Sequence, residues 1–143
     1  MSYTLKIKRI HEGAKIPSYA HSGDAGLDLF ACEDVTIKPN TRALIRTGIA
    51  MEIPKTCVGL IWDKSGISVN HGLKVLAGVI DAGYRGEVLV CLMNLSKETH
   101  SFKKDEKIAQ MIIQKKEKIS IKEVKELSNT SRGKGGFGST GKK

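Results

Sequence analysis

Apolar side chains in this chain recur in short runs of period two, and glycine, proline or a charged cluster cuts each run. Tyr3, Leu5 and Ile7 alternate against Lys6 and Lys8, and Val35 and Ile37 flank Thr36. That period puts every second side chain on one face of an extended strand. Further runs cover 43–50 (ALIRTGIA), 57–62 (CVGLIW), 73–80 (LKVLAGVI), 87–95 (EVLVCLMNL), 107–113 (KIAQMII) and 119–124 (ISIKEV). Many short strands at such spacing predict an all-β sandwich or barrel. The stretch VLVCLMNL is apolar on both faces, so its strand is expected to be covered on both sides, within the domain or by another subunit. A single short helix is expected at residues 65–71, ended by Gly72 in a left-handed conformation. Residues 115–125, rich in Lys and Glu, read as a solvated edge strand.

A chain of 143 residues suits one domain, large enough to bury a core without disulfides or a structural metal. Its formal charge of +9 points to polyanionic partners: nucleic acid, an anionic membrane surface or phosphorylated small molecules. The start, MSYTLKIKRI, has no uninterrupted apolar core, and no later run approaches membrane-spanning length. Secretion and membrane insertion are not expected; a cytoplasmic place is, or a nuclear or host-cell one for a eukaryotic or viral chain. Cys32, Cys57 and Cys91 are odd in number and far apart, which suits reduced thiols acting as small core hydrophobes. His11, His21, His71 and His100 are scattered, with no pair at zinc-ligand spacing.

The end of the sequence, RGKGGFGSTGKK, offers two phosphate-binding signatures. Gly133, Gly135 and Gly138 spell a dinucleotide fingerprint, and residues 136–142 spell most of a P-loop. Both need a helix behind the glycines, and only five residues follow Gly138. A frayed terminus is the simplest alternative. Against it stands Phe137, because a solvated linker has little use for an aromatic ring.

Three inner stretches combine small, acidic and hydroxyl residues. In DAGLDLFA, Asp24 reads as a turn residue, whereas Asp28 sits between Leu27 and Leu29, where an unpartnered carboxylate is costly. A buried arginine, or a water on a metal ion, would compensate it. In WDKSGIS, Ser65 and Gly66 open the expected helix beside Lys64, an arrangement that suits either an anion or an ordinary N-cap serine. In GVIDAGYRGEV, Asp81 stands at the mouth of a hairpin turn with Tyr84 close behind. Asp81 caps the turn, or it is an acid beside an aromatic face, a pairing that suits a sugar next to a scissile phosphate.

DAGLDLFA, DKSGIS, GVIDAGYRGEV, EKIAQMI and RGKGGFGSTG, in this order over residues 24–141, resemble the five motifs of the trimeric dUTP pyrophosphatases (dUTPases). The resemblance implies a distorted jelly-roll subunit at residues 1–127 and a glycine-rich arm at 128–143. It implies a homotrimer with sites shared between subunits, and Mg2+-assisted hydrolysis of dUTP to dUMP and pyrophosphate. That reaction keeps uracil out of DNA and supplies dUMP for dTMP synthesis. By the same resemblance Asp81 deprotonates the water that attacks the α-phosphorus, and Tyr84 packs on the deoxyribose. Backbone groups from Gly78, Val79 and Ile80 onward read the uracil edge. Lys64, Ser65, Gly66 and Gln110 meet the phosphates, and Asp28 holds a metal-bound water. The arm closes on another subunit's site: Phe137 stacks on uracil, Arg132 reaches the γ-phosphate, and Gly138, Ser139 and Thr140 add further contacts. Terminal glycines then make sense as a lid ordered by substrate.

Two positions depart from the family pattern. Asp63 and Lys64 stand where Pro and Arg are usual, and lysine cannot supply arginine's planar fork. Asp105, Glu106 and Lys107 stand where Gly, an acid and Arg are common. The alternatives are a dCTP deaminase on the same fold, whose catalytic glutamate has no clear counterpart near Glu87, a nucleic-acid-binding module, and an inactive regulatory relative. Few aromatics are available for base stacking, so no nucleic-acid partner is expected.

Overall fold

The computed structural model describes residues 3–142. In chain order the elements are β1 (Lys6–Arg9), β2 (Leu27–Phe30), β3 (Val35–Ile37), β4 (Arg42–Glu52), β5 (Cys57–Trp62), α1 (Ser65–His71), β6 (Leu73–Leu76), β7 (Val79–Ile80), β8 (Glu87–Asn94), β9 (His100–Phe102) and β10 (Lys107–Lys115). One antiparallel sheet runs β1-β4-β8-β6, a second runs β2-β10-β5-β7, and β3 pairs with β9. Ile45, Ile49, Val88, Val90 and Leu92 from the first sheet share one core with Leu29, Ile61, Ala109 and Met111 from the second. The result is the jelly-roll-like β fold that the periodicity and the motifs implied. No helix among the described residues is long and apolar enough to cross a membrane.

Helix α1 has the expected bounds, and Gly72 ends it at φ 66°, ψ 28°. Its cap position is Lys64 rather than Ser65, and no side chain caps it. The helix fully buries none of its residues, and half-buried Ile67 packs it against the core. Its last turn carries His71, whose ring meets that of His100 at 4.6 Å between centroids, while Phe102 meets His100 edge-on. Burial, together with the neighbouring His71, lowers the pKa of His100 below its ordinary 6.5. The unfolded chain therefore takes up this proton first. The contribution is complete above pH 6.5 and shrinks as pH falls below it. Denaturation midpoints should drop as pH falls below 6.5, and His100→Phe should flatten that part of the profile; an unchanged slope in the variant would remove His100 as the cause.

Two sequence expectations need correction, and a third is narrowed to one of its alternatives. The run at 73–80 is two strands in different sheets, because the chain turns at Ala77 (φ 59°) and Gly78 (φ 108°). A Cβ on Gly78 would lie 2.8 Å from the Ile61 carbonyl oxygen, so glycine is required there. Residues 119–124 form no strand, and Ile119 and Ile121 are exposed. Their alternation is genuine, but they meet no apolar surface of their own chain to offset the ordering cost. Finally, β8 is covered by its own domain on one face only: Val88, Val90, Leu92 and Asn94 are buried, while Leu89, Cys91 and Met93 are half-buried. Leu44 and Leu76, paired across from Cys91, widen this outer apolar face, and Leu44 is 61% exposed. Strand β9 was not anticipated, since three residues with one buried side chain carry no periodic signal. All three cysteines are free; Cys32 and Cys57 are buried and Cys91 is half-buried.

Candidate active site

Strand β10 lies between β2 and β5, and its register sets Gln110 opposite both Asp28 and Trp62. That one position joins three of the anticipated motifs. Asp28, Gln110 and the Lys64-Ser65-Gly66 turn line a polar hollow of about 230 Å³, together with Asp24 and Gly26. A side chain on Gly26 would collide with Gln110.

The turn is braced from two sides by Asp63, a residue the motif comparison left without a role. Its carbonyl accepts a bond from Gln110 Nε2 at 2.7 Å. Its carboxylate accepts Val75 N at 2.6 Å and Lys74 Nζ at 2.5 Å on β6. Burial pushes the Asp63 carboxyl up, and the Lys74 and Val75 bonds more than reverse this, leaving it below its ordinary 3.8. Proline has no carboxylate, so here a polar latch fixes the turn. Asp105, the other departure, adopts φ 69°, a left-handed angle that glycine takes freely and aspartate tolerates. Its amide bonds the Ala31 carbonyl at 2.8 Å, which keeps the turn before β10 intact.

Asp28 is buried, as its apolar neighbours foretold, and the side chains that face its carboxylate are two lysines rather than an arginine. Lys64 Nζ lies 2.5 Å from Oδ1 and Lys107 Nζ 2.7 Å from Oδ2. Burial raises the Asp28 carboxyl, but Lys107 and Lys64 outweigh it and hold the pKa below 3.8. No cluster of three or more His, Cys, Asp or Glu able to hold a metal exists among the described residues. A self-contained cage is absent there, and the donor set fits instead a hard cation brought in on phosphate oxygens and waters. A carboxylate has about four acceptor sites and the two ammoniums use two, so Asp28 keeps capacity for a metal-bound water.

A second hollow, of about 240 Å³, is lined by Val79, Ile80, Asp81, Tyr84, Glu87 and Leu89. Asp81 is exposed, and its carbonyl receives Tyr84 N at 3.0 Å, closing the hairpin turn. Tyr84 Oη donates to the Glu87 carbonyl at 2.9 Å, and the ring lies where a side chain on Gly86 would stand. Its ring is thus pinned while one side stays open to solvent. The Glu87 carboxylate accepts from Arg46 Nε at 3.1 Å and Gly48 N at 2.9 Å.

Within one chain these two sets do not meet. The order β2-β10-β5-β7 puts Asp28 and the hairpin on opposite edges of one sheet, three strand spacings apart, or about 14 Å. The arm reaches neither. Among the described residues, its hydrogen bonds join Thr130, Arg132, Gly133, Gly135, Gly136, Gly138, Ser139 and Gly141 only to one another, and Phe137 is fully exposed.

The dUTPase family model matches residues 12–141. The chain is 51% identical over 142 residues to the deoxyuridine 5'-triphosphate nucleotidohydrolase of Clostridium tetani, covering 98% of each chain. It is 52% identical to that of Clostridium kluyveri, covering 96% of this chain and 97% of the relative. Among solved structures, a mutant Staphylococcus bacteriophage 80alpha dUTPase with dUpNHpp matches with a TM-score of 0.90 at 32% identity, covering 98% of this chain and 99% of the other. A phage phi11 dUTPase mutant, described with a structural Mg(II) ion, matches with a TM-score of 0.81 at 29% identity, covering 87% of this chain and 99% of the other. With its five motifs in order and its fold and length shared with these relatives, the chain belongs to the dUTPase family.

Proposed function

We propose that this protein is a dUTP diphosphatase whose active sites are completed between the subunits of a homotrimer. One observation carries the shared site: the phosphate-facing set around Asp28 and the hairpin acid Asp81 occupy opposite edges of one sheet, each incomplete alone. A second subunit's hairpin and a third subunit's arm supply what one chain lacks. The outer apolar face of Leu44, Leu76, Cys91 and Met93, and the exposed Ile119, Ile121 and Leu127, are surface that such an assembly would bury.

Asp81 accepts a proton from water as the water oxygen bonds to the α-phosphorus, the α–β bridging P–O bond breaks, and pyrophosphate leaves in line. Backbone groups from Gly78, Val79 and Ile80 face the uracil edge, and the Tyr84 ring packs on the deoxyribose, leaving no room for a 2′-hydroxyl. Lys64, Ser65, Gly66 and Gln110 hold the phosphates, and Asp28 would hold a water of the magnesium ion. When bound, that ion would supply charge neutralisation for the leaving group. The arm of residues 128–143 then closes, with Phe137 on uracil, Arg132 at the γ-phosphate, and Gly138, Ser139 and Thr140 beside them.

Deamination of dCTP on this fold calls for a free glutamate near the hairpin, whereas Glu87 is engaged by Arg46 and Gly48. Pyrophosphate release should be fast with dUTP and slower by roughly 10⁴ with dCTP, whose exocyclic amine leaves the uracil-reading groups unpaired. UTP and dTTP should also be rejected, and chelation of magnesium should depress the dUTP rate. Comparable rates with all four nucleotides, or ammonia release from dCTP, would refute the assignment.

A further inference from the structure

We propose that Lys107 is a positioning residue for triphosphate binding: it keeps the buried Asp28 carboxylate compensated, so that Lys64 is released from Asp28 to the incoming phosphates. The inference rests on the proposed function, in which Lys64 meets those phosphates, and it adds a residue and a sequence of events to it.

A single negative charge here has two cations. The Asp28 side chain is 4% accessible and sits between Leu27 and the fully buried Leu29. Lys64 approaches one oxygen from the cap of α1, and Lys107 approaches the other from the start of β10. A register shift between Lys107 and Ala109 sets Lys107 opposite Phe30, two residues past Asp28 on β2. The two lysines are not equivalent. Lys64 lines the polar hollow with Ser65 and Gly66, whereas Lys107 does not. The other acid of the hollow, Asp24, has its Oδ2 bonded by the His21 amide at 2.8 Å.

Two cations on one carboxylate leave one positive charge in excess. If Lys64 turns to a phosphate, Lys107 still neutralises Asp28, and no bare charge remains inside the protein. Without Lys107, the same movement strands a buried carboxylate, which is among the costliest arrangements a folded protein can adopt. Lys64 would then stay on Asp28 and be withheld from the ligand. Lysine suits this exchange, because its ammonium is a rotatable point charge on a flexible stem, where arginine's fork would be committed to one planar geometry.

The test is the Kd of the non-hydrolysable analogue dUpNHpp, measured by calorimetry in EDTA so that no metal or turnover enters. Lys107→Met and Lys107→Gln should each weaken binding roughly tenfold, the scale of one charge-assisted contact. Lys107→Arg should keep wild-type affinity. In an Asp28→Asn background, where nothing needs neutralising, Lys107→Met should have no further effect. Lys107 is 45% exposed, so its neutral variants should fold, and melting curves verify this. Wild-type affinity in both neutral variants, or an equal loss in the Asp28→Asn background, would overturn the proposal. Lys64→Met separates it from the reading beneath it. Weaker binding there with none in Lys107→Met overturns the role of Lys107 alone; unchanged binding there removes Lys64 from the phosphates and takes both down.

Discussion

Asp81→Asn should reduce dUTP turnover by about 10²–10⁴-fold, the range a positioned general base contributes, while dUpNHpp binds as it does to the parent chain. Asparagine keeps the size and shape of the side chain but has little affinity for a proton. The hairpin should be unaffected, because its closing bond uses the Asp81 carbonyl rather than the carboxylate. Asp81 is also exposed, so the exchange removes no buried partner. Steady-state kcat together with an independent Kd separates chemistry from binding. A variant retaining more than a tenth of the parent turnover would mean that another group takes the proton.

Deleting residues 131–143 should have the next largest effect, a loss of roughly 10²-fold or more in kcat/KM, since stacking by Phe137 and a charge-assisted bond from Arg132 vanish together. The folded domain should not notice. Among the described residues the arm's hydrogen bonds are all internal, and Phe137 covers nothing of its own chain. Thermal melting should therefore match the full chain without ligand, while the gain in Tm on adding dUpNHpp should shrink. The arm's many glycines fit such a segment: Gly133, Gly138 and Gly141 all hold positive φ, which lets the backbone approach phosphates closely. Ordering the arm costs about 1–2 kcal/mol per residue, so an arm without its aromatic ring and its cation would have no reason to close. Full activity in the truncated protein would remove the lid from the mechanism.

Local signals in the sequence were reliable where a short-range cause sets the structure. The bounds of β5 and α1, and the left-handed Gly72, followed from periodicity and capping alone. Signals failed where a partner decides. LKVLAGVI looks like one strand, but the turn at Ala77 and Gly78 sends its halves to different sheets, and only the tertiary contact with Ile61 reveals why. ISIKEV has strand periodicity without a surface to bury it in its own chain.

The site was legible as residue types and not as connections. Asp28 was suspect from its apolar neighbours, yet both its partners are lysines, one of them 79 positions away at Lys107. No local pattern reports a pairing set by strand register. Asp63 passed as a departure from a motif, and its role emerged only because β6 brings Val75 and Lys74 against it. The separation of the phosphate turn from the hairpin likewise depends on sheet order, which no single motif encodes.

The central claim is that a working site draws its acid and its lid from different chains, and a mixing experiment tests it most directly. Asp81→Asn chains with intact arms and armless chains with Asp81 are each nearly inactive as separate trimers. Unfolded together and refolded at equal amounts, they should form mixed trimers in which about a quarter of the sites combine an intact Asp81 with an intact arm. Activity should rise far above the sum of the two parents and reach that fraction of the parent enzyme. A mixture that is verifiably heterotrimeric but no more active than the two parents combined would contradict the account, because acid and lid would then have to come from the same chain.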